Sequence, residues 1–173
     1  MAFTYSKLAE ATVGAGGAAT IDFNNIPQNY TDLLIKFSPR IVATSDFPSV
    51  DIRFNGSSAA AYSHKYLLGS GSTVASGNAS AQTSLRLGNA SGSAQTANTF
   101  GNFEIYIPNY TSNNNKSVSI DTVGENNLTA AYQNLVSGLW ANTTAINNIS
   151  LFSVSINLAQ YSTATLYGIR VEL

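Results

Sequence analysis

The sequence predicts an all-β protein, an antiparallel jelly-roll-like β-sandwich, and three observations predict it. Apolar residues recur at every second position in short runs, clusters of Gly, Asn and Pro separate those runs, and no long segment carries the 3.6-residue period of a helix. Period 2 places one set of side chains on the buried face of a pleated strand. Turns in place of helices between strands favour antiparallel pairing over a parallel α/β sheet. About nine or ten such runs suit a two-sheet Greek-key sandwich.

The clearest run is Val50-Asp51-Ile52-Arg53-Phe54, where Val50, Ile52 and Phe54 point one way and Asp51 and Arg53 the other. Leu33, Ile35 and Phe37 read alike, as do Phe103, Ile105 and Ile107 around Glu104 and Tyr106, and Val118 with Ile120. Near the C-terminus Thr165, Tyr167, Ile169, Val171 and Leu173 alternate with Gly168, Arg170 and Glu172, while Phe152, Val154 and Ile156 alternate with serines. Turns are expected at Ile26-Pro27-Gln28-Asn29, Asn55-Gly56, Pro108-Asn109 and Asn113-Asn114-Asn115, because Gly and Asn accept positive φ and Pro presets φ. Gly14, Gly16 and Gly17 read as a hairpin turn, since no Lys-Ser or Lys-Thr follows to make a phosphate cradle. Glu125 to Leu135 reads as an irregular connection, with a helical turn as the alternative. Ile26-Pro27-Gln28-Asn29-Tyr30-Thr31 echoes Ile107-Pro108-Asn109-Tyr110-Thr111, one turn solution used twice.

A chain of 173 residues fits a single domain, 1–173, with one core. Within it, residues at about 55–99 are dominated by Ser, Ala, Gly, Asn and Thr, and their weak patterning suits a loop or a wide hairpin ordered by a partner. Only 10% of residues are charged, where about a quarter is usual. A surface so rich in hydroxyls and amides suits a protein packed against neighbours. Eight basic and nine acidic residues, spread singly to a net charge of −1, offer no stripe for phosphates, so nucleic acid is an unexpected partner. With no cysteine there is no disulfide framework, thiolate metal site or cysteine nucleophile. Met1 to Glu10 do not read as a signal peptide, and no apolar stretch of roughly 20 residues occurs, so neither secretion nor a membrane partner is expected. Asn29-Tyr30-Thr31 and Asn142-Thr143-Thr144 are sequons that this composition generates by itself.

Catalysis finds little support. His64 is the one histidine, and it would have to fill every base role of a nucleophilic site without a Gly-x-Ser-x-Gly elbow beside it. Glu104 and Asp121 are the best carboxylate pair for glycoside hydrolysis, yet each alternates with apolar residues and reads as a solvent-facing strand position. Asp22, Asp32, Asp46, Asp51 and Asp121 lack calcium-loop spacing. No catalytic, cofactor or metal residue is assigned. Trp140, in Gly138-Leu139-Trp140-Ala141, reads as core ahead of a ligand platform.

Asp51-Ile52-Arg53-Phe54-Asn55-Gly56, Phe103-Glu104-Ile105-Tyr106-Ile107-Pro108-Asn109-Tyr110, Gly138-Leu139-Trp140 and Tyr161-Ser162-Thr163-Ala164-Thr165-Leu166-Tyr167-Gly168-Ile169 together resemble small virion proteins of tailed bacteriophages. The likeness runs over most of the chain and marks strand cores and turns. It implies a non-enzymatic β-sandwich subunit of the virion, assembled in the host cytoplasm and oligomeric. Two placements follow. As a head decoration or cement protein, expected as a trimer, it would bridge major capsid subunits. As a tail or fibre module it would bind a host surface glycan through loop Tyr and Asn. The expected partner contacts are Tyr62, His64, Tyr66 and Arg86, the large polar or aromatic groups of the unusual segment.

Overall fold

Most of the alternating runs become strands, and no helix forms among the described residues. The structure is a computed structural model that describes residues 2–44, 47–126 and 131–172. In chain order the strands are β1 (Ala2–Thr12), β2 (Thr20–Phe23), β3 (Asp32–Ser38), β4 (Arg40–Ile41), β5 (Ser49–Phe54), β6 (Tyr62–Ser70) and β7 (Thr73–Gln82). They continue with β8 (Leu85–Asn89), β9 (Ser91–Gly92), β10 (Asn102–Ile107), β11 (Lys116–Gly124), β12 (Tyr132–Trp140), β13 (Ile149–Phe152) and β14 (Thr163–Glu172).

A large antiparallel sheet runs β1-β14-β3-β10-β11-β12-β6-β7, a smaller one runs β2-β13-β5-β8, and β4 pairs with β9 in parallel. Eight of these strands carry the winding of a jelly-roll-like sandwich. In β1-β14-β3-β10 the first strand lies beside the last, and in β2-β13-β5-β8 the second lies beside the next to last, as two wrapped Greek keys require. Two excursions widen the large sheet. The β6–β7 hairpin leaves the chain between β5 and β8, and β11–β12 leaves it between β10 and β13. Both add to the open side of β10. The Ser/Ala/Gly/Asn-rich segment is therefore largely strand, and its first part is the wide hairpin.

The core forms between the sheets. Leu33, Ile35 and Phe37 of β3 and Phe103, Ile105 and Ile107 of β10 face Val50, Ile52 and Phe54 of β5 and Ile149 and Leu151 of β13, all nearly or fully excluded from water. Each such side chain contributes roughly 1.5–3 kcal/mol of burial. β8 lies across β11, β12 and β6. There Leu85 drops onto Gly138, where an added Cβ would come 2.5 Å from its Cδ2. Beside this contact Trp140 stacks on Tyr62 at 6.1 Å and leans on Phe54 at 5.5 Å, so it is core. The two Ile-Pro motifs meet at one end of the sandwich. Tyr110 donates its hydroxyl to the Pro27 carbonyl, and the Ile26 and Ile146 amides donate to Asn147 and Tyr110 carbonyls at 3.0 Å.

Four expectations need correction. Asp51 points away from Val50 and Ile52 as expected, yet it is buried there and not exposed, because the Ser84 hydroxyl covers it and donates to it at 2.5 Å. The inward phase of β14 is Ala164, Leu166 and Gly168, with Thr165 and Tyr167 outward; Gly168 lies inward because the Tyr30 ring occupies the space of its missing side chain. β13 ends at Phe152, with Ile149 and Leu151 inward, and Ser155 at φ 62° turns the chain so that Val154 is exposed. Gly14, Gly16 and Gly17 carry a crossover from one sheet to the other, since β1 and β2 do not pair. Gly17 at φ 78° lets Ala18 bridge to Leu158. Of Glu125 to Leu135, residues 127–130 lie outside the described residues and Tyr132–Leu135 belong to β12; Leu173 is also outside them.

Removing the Trp140 ring leaves a cavity against the Phe54 and Tyr62 rings. Trp140→Ala is expected to cost ~3–5 kcal/mol, measured by urea unfolding with far-UV circular dichroism on both proteins.

Candidate functional site

Three places concentrate chemistry. The first lies where β6 and β12 pass over β8. Inward side chains of β6 alternate as Tyr62, His64, Tyr66 and Leu68, and β8 presents Arg86. Tyr62 is 1% exposed, and its hydroxyl accepts the Phe54 amide at 3.0 Å and reaches the Ser57 carbonyl at 3.2 Å. It is a core residue that no neighbouring subunit can touch. His64, Tyr66 and Arg86 do come together, around a polar cavity of about 50 Å³ completed by Asn89 and Asn134. Arg86 Nη2 donates to Asn89 Oδ1 at 3.3 Å, Asn89 Nδ2 to the Phe47 carbonyl at 2.7 Å, and Asn134 Nδ2 to Thr122 Oγ1 at 3.1 Å. Gly88, at φ 155°, leaves room for Thr122. The cavity can hold a few waters and is far below the several hundred Å³ of a small-molecule site. His64 faces this interior and is 8% exposed, so it is not a surface contact; its Nδ1 has no protein partner.

The second place is the outer face of the large sheet. Cross-strand register puts Leu67 opposite Leu135, and Leu135 opposite Asp121. Val74 and Val123 lie on the neighbouring row, opposite Gly69 and Gln133. All four apolar residues are exposed, Val74 by 78%, Leu135 by 51%, Leu67 by 48% and Val123 by 37%. Beside them runs an open groove of about 670 Å³. Ser117, Ser119 and Ser137 line its middle, between Lys65 and Leu67 on β6 and Tyr106 and Pro108 beyond β11. Tyr106 Oη donates to Asp32 Oδ2 at 2.7 Å, and Asp32 Oδ1 accepts the Asn109 amide at 2.8 Å, which fixes the ring at the groove edge. Burial first, then the Asp32 hydrogen bond and charge, push the Tyr106 phenol up to about 12.

Glu104 and Asp121 stand on this face as direct partners of β10 and β11, both exposed, with Lys36 ion-paired to Glu104. Water reaches both carboxylates, and neither lines the groove. Among the described residues no three His, Cys, Asp or Glu side chains gather to hold a metal ion.

The third place is the free edge of the large sheet at β7, exposed along most of its length. Sequence reasoning missed the outer patch because period 2 assigns outward positions to water. A signal was present in Tyr66-Leu67-Leu68 and in Leu135-Val136, where consecutive apolar residues give a strand two apolar faces.

Burial, then the Arg86 cation, hold the His64 imidazole below its ordinary value of 6.5, with Asp51 pulling weakly the other way. A depressed value means that the unfolded chain takes up the proton first, so stability present above about pH 6.5 is lost on acidification. Because the chain has one histidine, its imidazole resonances are unambiguous. An NMR titration is expected to give a midpoint below 6.5, and Arg86→Gln to raise it. No protein-family model matches the chain, and no curated protein matches it.

Proposed function

We propose that the chain is a non-enzymatic structural subunit of a tailed-phage virion, a decoration or cement protein that binds major capsid subunits and stabilises the head. The observation that carries this reading is the outer apolar patch. Leu67 and Leu135 are direct cross-strand partners, with Val74 and Val123 diagonal to them on the adjoining row of the outer face. Apolar positions that adjoin across strands mark contact surfaces, whereas scattered ones need no explanation. Behind Leu67 and Leu135 the two sheets pack closely, with Leu85 of β8 against Gly138 of β12. Each bound copy would add burial across a capsomer boundary, so stabilisation would grow with occupancy.

A second reading, a tail or fibre module for a host surface glycan, draws on the groove. Tyr106 offers a ring to a sugar face, and Ser117, Ser119, Ser137 and Lys65 offer hydrogen-bonding groups beside it.

Immunogold microscopy of purified virions separates the two. Label spread over the head is expected, together with loss of head resistance to heat or osmotic shock when the protein is removed. Leu135→Glu, an exposed change that leaves the core untouched, is expected to lower head occupancy. Label confined to the tail favours the glycan reading, and absence of label from the virion overturns both.

A further inference from the structure

The sheets end in edges of unequal character. β1 carries Lys7 and Glu10, ion-paired at 2.8 Å, and a register shift between Lys7 and Ala9. The edges of the small sheet are short and charged, with Asp22 in the four residues of β2 and Arg86 in the five of β8. Charges, bulges and shortness are the devices that stop an edge from pairing with another chain. β7 lacks them over most of its length. Its ten residues, Thr-Val-Ala-Ser-Gly-Asn-Ala-Ser-Ala-Gln, contain no charge and no proline, and its ladder with β6 is regular from Thr73 to Ala79 before the one shift near Gln82. It is the outermost strand of the large sheet, with β6 as its one sheet neighbour among the described residues.

We propose that β7 pairs with β7 of a second copy, antiparallel about a two-fold axis at Ser76, which joins two large sheets into one. Charge selects this occupant. A neutral strand laid against its own copy meets no like charge, whereas β7 laid on β1 of a neighbour would meet Lys7, Glu10 and the bulge. Ser76 is the midpoint of the regular run Thr73 to Ala79, so an axis there pairs the most residues. It sets Ser76 opposite Ser76, Val74 opposite Asn78 and Ala75 opposite Gly77, all small or neutral. Opposite residues of an antiparallel pair share a face. The outer face of β7 holds Val74 beside Gly69 and Ser76 beside Leu67, so the patches of the two copies would flank the joint on one side of the combined sheet. The axis makes the contact self-complementary and closed, a pair that does not propagate into a fibre.

The inference stands on the edge alone and does not depend on residence in a virion, so immunogold labelling and the following test fail independently. The chain has no cysteine, so a single introduced thiol reports one position. Ser76→Cys is expected to form a disulfide-linked pair under mild oxidation, and Ser58→Cys, on an exposed loop, to remain single. Light scattering after gel filtration is expected to give twice the 18.2 kDa chain mass for the wild type. Ser76→Lys, which sets two ammonium groups across the axis, is expected to give one chain mass with an unchanged circular dichroism spectrum. A monomeric wild type, its edge left open to an extended segment of another protein, overturns the proposal. So does an oligomer that Ser76→Lys leaves intact, or a Ser76→Cys chain that crosslinks no faster than Ser58→Cys.

Discussion

The Tyr62 hydroxyl, seated between the Phe54 amide and the Ser57 carbonyl, is the point on which the architecture turns. Tyr62 begins β6, so this bond and the ring stack on Trp140 fasten the start of the inserted hairpin to the end of β5 and to β12 at once. A phenol buried there without a partner would be costly; satisfied by backbone groups, it instead fixes where the chain leaves the small sheet and enters the large one. The register of β6 on β12 follows, with Tyr62 opposite Trp140 and then Leu67 opposite Leu135. The outer patch and the β7 edge both inherit their places from that register.

Where one face of a strand meets the core and the other meets water, the residues announce it. β3, β10 and β11 keep the phase that their alternation predicts, with Ile35, Ile105 and Ile120 inward and Lys36, Glu104 and Asp121 outward. The reading fails where a residue's environment comes from a distant part of the chain. Gly168 faces inward because Tyr30 fills its space, and Asp51 is buried on the outward side of β5 because Ser84 covers it; neither partner is visible in the local pattern. The candidate site behaves in the same way. Choosing His64, Tyr66 and Arg86 for their chemistry picked residues that share a cavity, but one that faces the interior. Alternation could not reveal this, because the face of β6 that is covered depends on where β8 crosses.

Low charge content has a spatial counterpart. On the large sheet Lys36, Glu104 and Asp121 form a row across β3, β10 and β11, and from β12 onward the same row continues as Leu135, Leu67 and Ser76. The charged row at the β3–β11 end thus gives way to an apolar one, with Lys65 on β6 the nearest cation at the other end. The division lies between β11 and β12, within the part of the large sheet that β8 crosses.

Pairing of β1 with β14 joins the two most distant strands of the described chain. β14 lies between β1 and β3, so β1 finds its only neighbour in the large sheet when the last strand arrives. The β10-β11-β12 meander pairs strands that are neighbours in sequence and needs nothing from the far end of the chain. The sandwich halves cannot close until synthesis has passed residue 163, and such distant pairings place β-sandwiches among the slow folders, on the order of milliseconds to seconds. During that interval β1 and β3 present bare edges to whatever is nearby, and a nascent chain of this topology depends on rapid completion or on chaperones to escape aggregation.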